Sequence, residues 1–579
     1  MKPQYDAVIV GAGAGGSAIA WRLVQHGMRV LMLDAGPRFD PATDYRLDRP
    51  DWELKGFPHK PGSEGMYSFD EFQSLESAQD ELRSWNRAIG RINKTGRREI
   101  SGPGYQHVRG IGGSTLHFTG ESHRMHPAAM RMRSDFGVAA NWPMTYADLE
   151  PYYNVAEQLI GVAGPVDACE RWRSSPYPLP PHRLCKASAH LAAAGSKLGM
   201  RWTANPRAAL SLPYDGRPAC NYCGNCNRGC PIGDKGSADV TFIRHAEKSD
   251  RCDIRPNAQV THIETDGRKS VSAIRYVENG RSKRIETTRL ILAAGAIETP
   301  RLLLANRSRA WPKGIANGSG QVGRNLMETS FWLSTGLIDA PLHSYRGLPA
   351  DAICWDFNRP NAIPGVTGGC RFDSATQEIG LVGPIAYATR VVSGFGAALK
   401  QGVRDTLGHA LSVGAIGEFL PNEGTFVSLD DKRKDAQGQP LAKIHSRLTQ
   451  QDIDRLHFMA KTCRALLQAA GSKEMLEEFG SYDSFSSTHV FGTCRMGEDS
   501  KMSVVDAFGK SHEIDNLFIA DASVFPSSGG GESPALSIQA LAIRAADKIA
   551  TGTVLAPSSP LPQSKLGRED QGHGLHPSQ

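Results

Sequence analysis

The sequence predicts an α/β fold, a Rossmann-like nucleotide-binding domain built from discontinuous segments with an α+β domain inserted between them. Three observations predict it. Tyr5 to Gly36 reads YDAVIVGAGAGGSAIAWRLVQHGMRVLMLDAG: an apolar run, a glycine-rich turn, a helix-patterned stretch, a second apolar run and an acid. That order is a βαβ unit. Residues 516 to 550 return to the same pattern, with the apolar run NLFIAD, a glycine-rich turn from Ser527 to Glu532 and an amphipathic helix from Ala535 to Ala550. Between them, residues 329 to 480 change character, with strand-like segments, several glycines and a long helix over Gln450 to Ala470.

In the first unit Gly11 allows the tight turn, Gly13 lets the backbone approach a pyrophosphate, and Gly16 lets helix pack on strand. The helix start supplies N–H groups and the positive end of a dipole. Asp34 follows Gly13 at about the 20-residue offset where an acid bonds a ribose hydroxyl. Strand, helix and acid together point to dinucleotide binding, which the glycines alone would not.

The rest of the chain follows in order. Residues 37 to 95 are irregular and read as loop and cover segments. VRGIGGSTLH, from Val108 to His117, is a second glycine-rich turn able to bring N–H groups against a flat or anionic ligand. Tyr146 to Gly161 has helical spacing, with Pro151 expected as an early interruption. A proline-rich connector precedes a helix around Ala187 to Leu198. Four cysteines then crowd into residues 220 to 230. Beyond them a β-meander feeds a buried strand, Leu290 to Ala294, and GAIETP starts a helix carrying Leu302 to Leu304. The polar end, 553 to 579, reads as a disordered tail.

Composition narrows the function. The 579 residues exceed what one core supports, and two or three domains are expected. Hydrophobic content of 40% and charged content of 22% describe an ordinary soluble protein. No apolar run approaches the roughly 18 residues of a membrane helix. The +6 net charge is spread among 66 basic and 60 acidic residues, with no basic and aromatic surface for nucleic acid. The first strand is expected within a few residues of Met1, so its apolar run reads as part of the fold and not as a cleavable leader. The expected compartment is the cytoplasm, or the periplasm or a membrane surface if a partner carries the address. Eleven cysteines, four of them clustered, argue against a disulfide framework and for a metal or redox site.

The N-terminal fingerprint, RGIGGST, GAIETPRLLL, VGRNL, HVFGTCRMG and DASVFPSSGGGESPALSIQALAIRAAD occur in the order seen in the glucose–methanol–choline oxidoreductases. The resemblance covers residues 5 to 550. Within the family the chain resembles the catalytic subunits of bacterial flavin-dependent sugar and polyol dehydrogenases, above all through YDGRPACNYCGNCNRGCPIG. It implies FAD as the dinucleotide and a substrate-binding role for the inserted domain. The expected division is 1–134 for the first part of the FAD domain, 135–214 for a substrate or cover segment and 215–328 for the second part, with the cysteines. The substrate-binding domain takes 329–483, the last part of the FAD domain 484–552, and the tail 553–579.

The cysteine run, Cys220-x2-Cys223-x2-Cys226-x3-Cys230-Pro231, has the spacing of bacterial ferredoxin ligands. Zinc usually wants a second, distant ligand pair, which is missing nearby, and plain structural cysteines are the other alternative. The resemblance implies an iron–sulfur cluster on Cys220, Cys226 and Cys230, with Cys223 leaving open three irons or four. His489 takes the family's catalytic histidine place, where imidazole suits the hydroxyl proton. Ser533 stands where the family usually has Asn or His; it can hydrogen-bond a substrate but is a poor base. Glu532 beside it reads as a solvated turn charge. Asp521 is expected near the flavin, or as the cap of Ala522 onward. His117 lies in the flavin-facing turn, where some relatives join a histidine covalently to the ring. Arg109, Gly112, Gly113, Ser114, Val260 and Ala522 complete the expected FAD contacts.

The implied activity is an FAD-dependent dehydrogenase that oxidises a hydroxyl of a sugar, polyol or glycoside. Electrons would leave through the cluster to a cytochrome or another acceptor, with a small partner subunit. The rivals are an oxygen-using oxidase of the same fold and a flavin–cluster subunit with impaired catalysis.

Overall fold

A computed structural model describes residues 4–48, 52–54, 66–165, 171–267 and 269–560. Five short parallel strands form the nucleotide-binding sheet: β1 (Ala7–Val10), β2 (Val30–Leu33), β3 (Cys252–Arg255), β4 (Leu290–Leu292) and β5 (Leu517–Ile519). Their spatial order is β5-β4-β1-β2-β3. β1, β2 and β4 are buried at every position, as expected of a parallel sheet covered on both faces. The order reverses at β1, and ligands of open α/β sheets sit at such a switch point, outside the carboxyl ends of the strands. The helix α1 (Ala14–Gln25) follows β1 and packs against the Ala535–Thr551 helix. The meander appears as a three-stranded antiparallel sheet, Ala258–Thr265, Val271–Glu278 and Arg281–Glu286.

The inserted region is built on an eight-stranded sheet. Its inner strands, Glu474–Gly480, Ser330–Leu337, Ala410–Gly417, Cys370–Ser374 and Ala352–Cys354, come from the expected substrate-binding segment. The edges do not. Trp202–Ala204 extends one side and Trp85–Asn86 with Gly90–Arg91 the other, so part of the region read as loop is strand. Edge strands of two or three residues carry too little pattern to be legible alone. The long helix runs Gln450–Ala469 behind this sheet, opened by a capping box in which Thr449 and Asp452 satisfy each other's backbone N–H.

Pro151 does not interrupt its helix, which is continuous from Tyr146 to Ile160 under a Thr145–Asp148 capping box. The missing proline N–H orphans the carbonyl of Ala147. Ser558 N donates to that carbonyl at 3.3 Å, and Leu555 N donates to Tyr152 Oη at 2.7 Å. Residues 553–560, read as the start of a disordered tail, therefore lie along this helix, while 561–579 fall outside the described residues. Among the described residues no helix is long and apolar enough to cross a membrane.

Candidate active site

A cavity of about 510 Å³ opens at the carboxyl ends of the parallel strands and runs to the inserted sheet. Its nucleotide end is made by two glycine turns set back to back. Gly11 has φ +101°, and a side chain there would meet the Ala293 carbonyl at 2.4 Å. A Cβ on Gly113 (φ +54°) would meet Gly13 Cα at 2.7 Å. Gly13 itself has open space: its nearest neighbour would be 3.9 Å away, so a side chain there would fill cavity and not protein. Gly13 caps α1, with no side chain on the first-turn N–H groups and no acid among them. Gly13, Ala14 and Gly15 line the cavity, and this donor set fits the pyrophosphate of a dinucleotide.

Asp34 also lines the cavity, but both its oxygens serve the turn, accepting from Ala12 N and Gly36 N at 2.9 Å each. Burial raises its pKa, against those two bonds. Arg109, Ser114, Val260 and Ala522 lie in the wall. Gly16 and Gly112 do not. A Cβ on Gly16 would meet the Gly11 carbonyl at 1.9 Å, and Gly112 N donates to Ala12 O at 3.0 Å, so both fix the turns from behind. Asp521 lies at the cavity wall: its Oδ1 accepts from Ser523 N at 2.9 Å as a cap, and its Oδ2 accepts from Gly295 N and Thr299 Oγ1.

At the other end stand His489 and Ser533. The His489 imidazole makes no side-chain hydrogen bond among the described residues. Burial pulls its pKa down to about 4, Glu121 opposing and Arg371 assisting, so the ring is neutral at pH 7 and able to accept a proton. Ser533 Oγ donates to Glu121 Oε2 at 2.6 Å, and Ser533 N donates to His123 Nδ1 at 3.0 Å. Glu121 is buried and faces Arg371 in a fork, at 3.0 and 2.7 Å. Burial alone would raise this carboxyl; Arg371, with His123 and Arg207, instead holds it well below the usual range.

Glu532 is not a solvated turn charge. It is buried, ion-paired to Arg171 at 2.6 Å, and accepts from His126 N at 3.1 Å. The glycines around it pack the turn so closely on Asn358 and Ile416 that its acid is folded inward.

The cysteine loop reaches this wall through one residue, its cysteines staying outside the lining. Asn227, between Cys226 and Arg228, lines the cavity, and its carbonyl accepts from His117 Nδ1 at 2.7 Å. His117 lines the cavity as well. Lys235, buried behind the loop, donates to the carbonyls of Cys226, Leu116 and Phe118, tying the loop to the second glycine turn. Burial pushes the thiols of Cys226 and Cys230 up to about 11 and 12, and those of Cys220 and Cys223 upward too, with Asp234 adding to all four. Cys230 Sγ donates to Asp234 Oδ1 at 2.8 Å. Among the described residues no three Cys, His, Asp or Glu side chains converge closely enough to hold a single metal ion. The donor set itself, thiols on tight turns at Tyr222, Gly224 and Gly229, all at positive φ, suits a multi-iron cluster, whose ligand sulfurs stand farther apart than those of one ion.

Of the expected residues outside the cysteines, all but Gly16 and Gly112 are thus brought to one cavity. Sequence reasoning missed Glu121, Arg371, Glu378 and Asp234. The only local signal was for Glu121, which follows the second glycine turn by a few residues in a run of polar side chains.

Known proteins give the same outline. Family models described as GMC oxidoreductase match residues 105–329 and 421–542, and one described as NAD(P)-binding Rossmann-like domain matches 9–82. The fructose dehydrogenase large subunit of Gluconobacter japonicus is 31% identical, the match covering 94% of this chain and 97% of the relative. The 6'''-hydroxyparomomycin C oxidase of Streptomyces lividus is 30% identical over 94% of this chain and 91% of its own. The crystal structure of pyridoxine 4-oxidase from Mesorbium loti matches with a TM-score of 0.59 at 18% identity, covering 94% of this chain and 99% of that one, a likeness of fold.

Proposed function

The chain belongs to the glucose–methanol–choline (GMC) oxidoreductases, and from that premise we propose that it is an FAD-dependent dehydrogenase oxidising a hydroxyl of a sugar, polyol or glycoside to a carbonyl. The observation that carries this reading is the unpaired, neutral imidazole of His489 in the wall of the cavity whose far end is the uncapped start of α1. The two glycine turns, Arg109, Val260 and Asp521 would hold FAD, which would supply the acceptor for a hydride. His489 takes the hydroxyl proton on a ring nitrogen as the carbonyl forms. Ser533 does not share that work as a base: a hydroxyl is a poor one, and Glu121, which accepts its hydrogen bond, is held too far below the usual carboxylate range by Arg371 to take the proton on. Ser533 fixes instead the wall against which the substrate lies, and Glu121, locked by Arg371, keeps Ser533 oriented.

The route out for electrons is read from the cysteine loop. Cys220, Cys223, Cys226 and Cys230 are the candidate ligands of an iron–sulfur cluster, which would supply one-electron transfer to a cytochrome or another acceptor. Its support is the contact of His117 with the Asn227 carbonyl, which puts this loop directly behind the cavity wall. A small partner subunit fits the same reading, since one relative is named as a large subunit.

An oxidase is the second reading. It is favoured by a relative named as an oxidase. Iron and acid-labile sulfide per flavin on anaerobically purified protein, with electron paramagnetic resonance before and after reduction, separates the two. About three irons with a signal when oxidised means a cluster on three cysteines. About four irons, silent until reduction, brings in Cys223. An active, flavinated, iron-free enzyme means that the proposed electron route is wrong and moves the reading to the oxidase.

A further inference from the structure

Residues 329–483 reach the cavity at four residues: Glu378, Ile416, Asp435 and Gln439. Asp435 stands at the nucleotide end, bonded to Arg301 at 2.6 Å and Gln259 at 3.0 Å. Glu378 and Ile416 stand at the end of Glu121 and Ser533: Ile416 is the strand partner of Arg371, the residue that grips Glu121. Glu378 is held firmly. Asn227 Nδ2 donates to its main-chain carbonyl at 2.9 Å, and its neighbours Gln377 and Ile379 are bonded to Arg346 and Arg390. Yet its carboxyl has neither a hydrogen-bond nor an ion-pair partner among the described residues.

We propose that Glu378 determines specificity: its carboxyl group hydrogen-bonds a hydroxyl of a neutral polyhydroxy substrate, remote from the reacting carbon, and disfavours substrates bearing a carboxylate or phosphate. The charge balance supports this. The groups facing Glu378 are the carboxyls of Asp373 and Glu121 and the guanidiniums of Arg207 and Arg371. Two cations offset two anions, so an ionised Glu378 would be a half-buried, uncompensated charge at the cavity wall. Burial, helped by Asp373 and Glu121, pushes its pKa up to about 8, leaving it a donor as well as an acceptor at pH 7. An anionic substrate would add charge where none is compensated; a hydroxyl completes an empty bonding position without adding any. The assignment rests on the reading that this cavity oxidises hydroxyls.

The test uses flavinated holoenzyme and an artificial electron acceptor. The probes are D-glucose, D-fructose, D-sorbitol and glycerol, with D-gluconate and glucose 6-phosphate as charged counterparts. For the best neutral probe, Glu378→Ala is expected to raise KM about tenfold or more, the worth of one lost hydrogen bond, with kcat within about threefold and flavin content unchanged. Glu378→Gln, which keeps a donor and an acceptor, recovers most of that loss. In the wild type KM rises above about pH 8 as Glu378 ionises, and this rise is absent in Glu378→Gln. An unchanged KM in Glu378→Ala, or charged probes turned over as well as neutral ones, overturns the assignment. Flavin that no probe reduces, in wild type and variants alike, overturns the hydroxyl-oxidising reading beneath it.

Discussion

Arg371→Leu puts the buried charge network to the test. The guanidinium is fully buried and makes two bonds to Glu121, one to Asp373 at 2.5 Å and one to the Gly531 carbonyl at 2.6 Å. Leucine fills part of the volume but leaves two carboxylates in the interior. Glu121 keeps Asn205 at 2.8 Å and Ser533 at 2.6 Å; Asp373 loses the one ion-pair partner it has among the described residues. Removing one partner of a buried pair costs about 3–5 kcal/mol. Hydrophobic packing by the leucine offsets little of that, since it cannot satisfy either carboxylate.

The cost depends on pH, and its sign follows from the shifts. In the wild type Glu121 is held below its unfolded value, so its contribution is present above about pH 4.3 and is lost only on further acidification through the depressed folded value. Asp373 lies the other way, at about 6, raised by burial, so its ionisation opposes folding above that pH. Without Arg371 both carboxyls rise, and the variant gains stability as pH falls from 7 to 5 while the wild type changes less. The difference between them should narrow by about 1 kcal/mol or more, since one pKa unit is about 1.4 kcal/mol. The assay is the urea midpoint at both pH values, by tryptophan fluorescence and circular dichroism, whose transitions must coincide. Arg371→Met combined with Glu121→Gln and Asp373→Asn, which removes the orphaned charges together, should recover part of the loss. A difference below about 1 kcal/mol at pH 7, or one that ignores pH, refutes the reasoning.

Three further outcomes are expected. His489→Ala should retain flavin but lose about 10²–10⁴ in kcat, the usual worth of a positioned base, and stopped-flow reduction measures it. With His489 at about 4, the acid limb of kcat/KM should lie below about pH 4 to 5, where the imidazole is protonated; an acid limb near 6.5 would mean that the base sits in a wetter setting. Gly13→Ala and Gly16→Val should separate: the first folds with an unchanged melting temperature but binds FAD more weakly, while the second drives a side chain into the Gly11 carbonyl and loses both flavin and stability. Absorbance ratio and melting temperature read the two effects.

What could be read in the sequence is what lies close along the chain. Gly11, Gly13 and Gly16 declare a turn whose strand and helix are their immediate neighbours, and His489 is framed by its own motif. The two halves of the nucleotide sheet were legible because β1 and β5 carry the same kind of pattern. Arg371 and Glu121 were not, because they are 250 positions apart and each looks like a surface charge until the inserted sheet folds over the second glycine turn. Glu532 misled for the same reason: beside three glycines it reads as exposed, and only Arg171, 361 residues away, accounts for it. Pro151 misled differently. Its cost to the helix is real, but the donor that offsets it comes from Ser558, in a polar segment with no periodicity to announce it.

The most direct test of the central claim is anaerobic mixing of the flavinated enzyme with neutral polyhydroxy compounds and no external acceptor, following the visible absorbance of the flavin. Bleaching by at least one of them is expected, at a rate that falls at least a hundredfold in His489→Ala while bound flavin is unchanged. Bleaching at the wild-type rate in that variant would contradict it, because the proton would then leave by a group other than His489.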